Sequence, residues 1–209
     1  MMDKYPKIQT VFLRDPATRY KTLLMGQWAL PEFEYLAMNE WVWTEKIDGT
    51  NIRVDWDGER ATFAGRTDNA QTPPFLLAKL QAMFPVDVFK AEYPDLPMTL
   101  YGEGYGAKIQ KGGGNYIPDG QSFILFDVMI TGNWQPRESV EDIATHLDLD
   151  IVPIVGYGLL VDAVNQVRNG FMSLIASRDA EGLVMRPTVE LQTRTGQRII
   201  TKIKCKDFA

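Results

Sequence analysis

One lysine in this sequence stands where its amine could react. In Glu45-Lys46-Ile47-Asp48-Gly49-Thr50-Asn51, Lys46 closes an alternating segment, Trp41–Lys46, and a tight Asp-Gly step leads into a second, Asn51–Trp56. A lysine so placed projects its amine into a cleft. The plainer reading is a β-turn beside a surface lysine, since Lys-x-Asp-Gly is short enough to arise by chance. A second set of amines lies near the end of the chain. In Lys202-Ile203-Lys204-Cys205-Lys206 the strand period of two puts three lysines on one face and Ile203 and Cys205 on the other. Such a strip can engage phosphates, or it can be a solvated edge strand. With one His and one Cys, no disulfide framework, multi-Cys zinc site or paired-His metal site can be built. Carboxylates are then the ligands left for a cation, and hard cations such as magnesium suit them. Glu103, in Tyr101-Gly102-Glu103-Gly104, and Glu181, opening Glu181-Gly182-Leu183-Val184-Met185-Arg186, are acids at strand boundaries.

These residues need strands to present them. Ala61–Ala64, Leu100–Glu103, Phe123–Ile130, Gly182–Arg186 and Arg198–Lys204 read as strands. Helical patterns run around Glu32–Met38, over Phe75–Phe84 behind a Pro-Pro start, and over Val140–Leu147 and Val161–Ser173. Meanders with intermittent helices indicate an α+β fold. The 209 residues, 45% hydrophobic and 23% charged, suit one domain with an ample core. No apolar run approaches a membrane span and the start lacks a signal-peptide pattern, so a cytoplasmic protein is expected. A net charge of −5 argues against binding nucleic acid by bulk electrostatics. The charge is unevenly spread, however. Five acids fall between Glu138 and Asp150, and five bases (Arg194, Arg198, Lys202, Lys204, Lys206) between Leu191 and Ala209.

Taken in order, Lys46-Ile47-Asp48-Gly49, Gly65-Arg66-Thr67, Tyr101-Gly102-Glu103-Gly104, Phe123-Ile124-Leu125-Phe126-Asp127, Glu181-Gly182 and the terminal lysines resemble the covalent nucleotidyltransferase superfamily of ATP-dependent polynucleotide ligases and mRNA capping enzymes. Within it, the chain is most similar to phage-type double-strand RNA ligases and RNA-editing ligases, over about Trp41 to Lys206. The resemblance implies a nucleotidyltransferase (ATP-grasp-like) domain of mostly antiparallel sheets with flanking helices, occupying residues 1–209. It also implies an ATP site formed by Glu45, Lys46, Asn51, Arg66, Glu103, Phe126, Glu181, Lys204 and Lys206. In that scheme Lys46 attacks the α-phosphorus and carries AMP, and Lys204 and Lys206 hold phosphates. Glu103 contacts the ribose, Phe126 stacks on adenine with Asp127 beside it, and Glu181 holds Mg2+, or Mn2+ in its place. Arg66, Lys111 in Lys108-Ile109-Gln110-Lys111, and Arg186 are candidate nucleic-acid contacts. The lysine must be unprotonated to attack, and neighbouring cations help to strip its proton.

The implied partners are ATP and nicked or broken RNA, duplex or hybrid, bound by a monomer without a membrane. Asn51, five residues beyond Lys46, matches the RNA ligase branch, where DNA ligases carry Arg; Asp48 matches the DNA ligase habit. The chain is expected to lack the OB-fold or helical domain that follows this unit in relatives. A minimal DNA ligase, another polynucleotide adenylyltransferase, and a non-catalytic ATP- or RNA-end-binding module remain alternatives. Lone His146 reads as a surface residue.

Overall fold

The computed structural model describes residues 4–67 and 70–208. In chain order its elements are β1 (Gln9–Thr10), β2 (Phe12–Arg14), β3 (Leu23–Trp28), α1 (Pro31–Tyr35), β4 (Trp41–Glu45), β5 (Thr50–Trp56), β6 (Ala61–Gly65), α2 (Pro74–Met83), α3 (Val86–Glu92), β7 (Met98–Gly106), β8 (Gln121–Ile130), β9 (Asn133–Trp134), α4 (Arg137–His146), β10 (Asp150–Ile151), β11 (Ile154–Gly158), α5 (Leu160–Asn169), β12 (Gly182–Pro187) and β13 (Thr201–Lys204). They form two compact units, one of residues 1–6 and 48–152, the other of 7–47 and 153–209. The fold is α+β with mixed sheets, because β1 runs parallel to β13 and β10 parallel to β8 amid antiparallel pairs. Among the described residues no helix is long and apolar enough to cross a membrane.

The unit containing 48–152 is built on a sheet in the order β10-β8-β7-β5-β6, with β9 paired to β8. Helices α2, α3 and α4 place Leu76, Leu80, Phe89, Val140 and Ile143 in its core with Ile52, Val54, Trp56, Leu100 and Phe123. Between β7 and β8 the register slips: Tyr101 faces Asp127 but Gly102 faces Leu125, so Phe126 is an extra residue in β8. Such a bulge re-aims the side chains around it. It aligns Asp127 with Tyr101 and Arg53, and both Arg53 and Asp127 are buried. The Tyr5 ring packs against Tyr101, Phe126 and Trp134 at 5.2, 5.0 and 5.5 Å between centroids. Its hydroxyl donates to Asp127 Oδ2 at 2.5 Å. Gly49 lies close against β7. A Cβ there would lie 2.3 Å from the Gly104 carbonyl oxygen, so the glycine serves close approach. β4 and β5, the two strands read on either side of Asp48-Gly49, belong to different sheets.

The other unit carries a sheet in the order β1-β13-β12-β4-β11 and the β2–β3 hairpin. In α5, Leu160, Ala163, Val164 and Val167 recur at helical spacing and are buried. They pack with Trp41, Trp43, Leu183, Met185 and Ile203 from the inner face of the sheet. Two expectations are corrected here. The helix foreseen to Ser173 ends at Asn169, where Gly170 takes φ 74°. The strand foreseen over Arg198–Lys204 is only Thr201–Lys204, and a 3-10 turn, Cys205–Asp207, follows at once. Asp207 stops the strand: its Oδ2 accepts the Lys204 backbone N–H at 3.0 Å, and its Oδ1 accepts from Arg14 Nη2 at 2.7 Å. Lys206 is therefore thrown off the face it was expected to share and is exposed.

Tyr5→Phe keeps the ring but leaves the 2%-exposed Asp127 carboxylate short of a charge-assisted bond. It is expected to cost about 1.5–3 kcal/mol, read as a lower urea midpoint at unchanged slope.

Candidate functional site

Register builds the site in the second unit. Leu183 of β12 faces Glu45 of β4, and Gly182 faces Lys204 of β13. One step beyond Glu45, the Lys46 backbone N–H donates to the Gly182 carbonyl at 2.9 Å. Lys46, Gly182 and Lys204 thus form one row across three strands, and the middle position has no side chain. It could have none: a Cβ on Gly182 would lie 2.1 Å from the Ile203 carbonyl oxygen. The preceding residue, Glu181, is tied down by its own carbonyl, which accepts from the Cys205 backbone N–H at 2.9 Å.

Glu181 occupies the gap in that row. Its Oε2 lies 2.6 Å from Lys46 Nζ and its Oε1 2.5 Å from Lys204 Nζ. All three side chains are between 13% and 20% exposed. Burial alone would raise the Glu181 carboxyl, but the ammoniums of Lys46 and Lys204 outweigh it and hold it below its ordinary value of 4.5. Lys202, one row further along β13, shares the Lys204 face. Burial, then the positive charges of Lys46 and Lys204, lower its amine from 10.5 to about 8. Arg14 adds a further positive charge to this group. The amine that burial and neighbouring cations lower is thus at Lys202, which the sequence reading placed on the lysine face but outside the ATP site.

Glu45 has the inward parity of Trp41 and Trp43 and is 1% exposed; its Oε2 accepts the Leu174 backbone N–H at 2.7 Å. It is placed to hold the 173–175 loop. Arg186 pairs with Glu190 at 3.1 Å, which also binds the buried Arg198 at 3.0 Å. Cys205 packs inward as expected, its thiol donating to the Ala180 carbonyl at 3.3 Å.

The remaining expected residues belong to the first unit. Asn51 and Glu103 are cross-strand partners on one face of the sheet. The Asn51 side-chain oxygen is buried without a hydrogen-bond partner among the described residues, as a group meant for a ligand would be. Phe126 is half-buried at its bulge. Arg66, just after β6, and Lys111 are exposed. Next to Lys111, Gln110 is committed to the Gly49 carbonyl at 2.9 Å. His146 is exposed, as expected. Arg14, Asp207 and Tyr5 were missed altogether. Their partners lie 193 or 122 residues away, and no local pattern announces such contacts.

Among the described residues no three or more His, Cys, Asp or Glu side chains are grouped to hold a metal ion. One carboxylate completed by phosphate oxygens and water is nonetheless an ordinary way to hold magnesium, and Glu181 has that chemistry.

The family model described as RNA ligase matches residues 39–204, and the chain belongs to that family. The match takes in Lys46, Glu181, Lys202 and Lys204 and stops short of Lys206. Among solved structures, the chain is similar to Naegleria gruberi RNA ligase. One variant with ATP and Mn is 17% identical with a TM-score of 0.67, covering 96% of this chain and 56% of that one. A second variant with ATP and Mn is 18% identical at 0.69, covering 97% and 56%. The same ligase with PPi is 17% identical at 0.65, covering 96% and 57%. These likenesses are of fold, and the chain spans a little over half the length of those proteins. No curated protein matches the chain.

Two outcomes test this geometry. Lys202 titrates near 8 when folded and near 10.5 when unfolded, so between those values the unfolded chain binds more protons and stability rises with pH. Lys202→Met is expected to be more stable than the parent at pH 7, with the gap closing toward pH 10.5; parallel melting curves would refute the cluster. Gly182→Ala is expected to destabilise the fold by more than about 3 kcal/mol, on the scale of severe overpacking, in chemical denaturation.

Proposed function

We propose that this chain is an ATP-dependent RNA ligase working through a lysyl-AMP intermediate, and that Lys46 is the nucleophile. The observation that supports it most is the Lys46–Glu181–Lys204 row inside the span matched by the RNA ligase family. A carboxylate in contact favours the charged, unreactive form of a lysine, so Lys46 attacks only once Glu181 has another partner. A divalent cation arriving with the triphosphate, Mg2+ or Mn2+, would be held by Glu181 and would neutralise charge at the α-phosphate.

In the first step the Lys46 nitrogen bonds to the α-phosphorus, its proton is lost, and the bond to the β-phosphate oxygen breaks to release pyrophosphate. AMP then passes from Lys46 to a 5′-phosphate, and a 3′-hydroxyl displaces it to form the phosphodiester. Each step needs alignment and charge stabilisation more than bond-making by the protein. Lys204 and Lys202 supply that charge from adjacent positions on one strand face. Lys202-Ile203-Lys204 is thus the working lysine pair, in place of Lys204 and Lys206. In the other unit, Phe126 is the ring for adenine, Glu103 with Asn51 binds the ribose side, and Arg66 is assigned to the 5′-phosphate. Asn51 follows the RNA ligase habit and Asp48 the DNA ligase habit, so RNA and DNA nicks must be compared directly.

Lys46→Ala is expected to abolish labelling by α-labelled ATP, and Glu181→Ala to lower it about a hundredfold, the scale of losing one electrostatic stabiliser. Sealing of a 5′-phosphate/3′-hydroxyl nick should be faster in RNA than in DNA. Label persisting on Lys46→Ala, or a preference for DNA, would refute the reading.

A further inference from the structure

The tip of the β2–β3 hairpin is unusual. Arg19 and Tyr20 both lie in the left-handed region, at φ 55° and 61°, a conformation that bulky residues rarely adopt and that costs roughly 1–2 kcal/mol per residue. A turn selected only for stability would place Gly or Asn there. Here Tyr20 is 63% exposed, flanked by exposed Arg19 and Lys21. The tip is nonetheless preformed. Asp15 caps the 3-10 turn Pro16–Thr18 by accepting from Ala17, Tyr20 N–H donates to the Asp15 carbonyl at 2.9 Å, and the Thr18 and Thr22 hydroxyls meet at 2.9 Å. Three cations, Arg14, Arg19 and Lys21, stand against one acid, Asp15.

Arg14 connects this tip to the lysine row. Its Nη1 donates to the Tyr20 and Lys21 carbonyls at 3.3 and 3.4 Å. Its Nη2 donates to Asp207, which in turn accepts the Lys204 backbone N–H. One guanidinium therefore holds both the backbone beneath the exposed ring and the end of the strand that carries Lys202 and Lys204.

We infer that the tip, Arg19-Tyr20-Lys21, is a contact surface for the RNA substrate, with Tyr20 stacking on a base near the broken end and Arg19 and Lys21 on its phosphates. A flat exposed ring between two cations is the combination that grips a polynucleotide regardless of sequence, and its physical continuity with the lysine row favours RNA over a protein partner. The choice of RNA rests on the ligase reading above. That reading is checked separately, because lysyl-AMP formation needs no RNA.

The test uses the full chain and a fluorescent nicked RNA duplex bearing a 5′-phosphate, without ATP. Tyr20→Ala is expected to weaken binding about 5- to 100-fold, the range for losing one stacking contact, and Tyr20→Phe to retain it. The double variant Arg19→Ala/Lys21→Ala should lower the slope of log K against log salt by about 1.5. Both alanine variants should melt like the parent and still take up AMP, by intact mass. RNA affinity within twofold of the parent in both overturns the inference, and a tip serving a protein partner would give that result. Absence of lysyl-AMP in the parent would count against the ligase reading instead.

Discussion

A single carboxylate shared by two ammoniums organises the second unit. Glu181 binds Lys46 with one oxygen and Lys204 with the other, and the cost of burying it is met only because both are present. The arrangement follows from strand register and from one glycine. Had Gly182 carried a side chain, β13 could not approach, and the two lysines would not flank the same acid. Contact with the shared acid favours the charged form of Lys46. In the proposed reaction, displacing that acid would leave Lys46, Lys202 and Lys204 as three like charges whose repulsion favours a neutral amine.

In the same unit Glu181, Glu190 and Asp207 are each engaged with lysines or arginines. Asp207 both ends the strand and holds Arg14, so the last descending lysine, Lys206, is turned outward while Lys202 stays on the face. In the first unit the bulge at Phe126 does comparable positioning. One extra residue in β8 aligns Asp127 with Tyr101 and lets Tyr5 brace both the ring and the acid.

The grouping of Lys46 and Glu181 with Lys204 was legible because Lys46 and Glu181 each stand one residue outside a strand and the alternation of β13 marks the face of Lys204. Glu103, read as a strand end, lies inside β7. Period alone also separated Ile203 from its lysine neighbours. It could not reveal where β13 stops, since the cap on Lys204 comes from Asp207, held by an arginine near the start of the chain. Nor could it show that β4 and β5 join different sheets, because alternation looks the same in either pairing. β1 and β10, two residues each, are too short for a period to register; they exist because longer neighbours offer them an edge. Lys202 was undervalued because its amine is lowered first by burial and then by Lys46, effects of tertiary packing that its own segment does not show.

The pairing at Glu181 can be measured directly by following its side-chain carboxyl carbon in a 13C NMR pH titration of the parent and of Lys46→Met. In the parent it should titrate below the ordinary carboxylate value of 4.5, and loss of the Lys46 charge should move the midpoint upward, since burial would then be opposed by Lys204 alone. An unshifted carboxyl in the parent, or one indifferent to Lys46, would contradict the account.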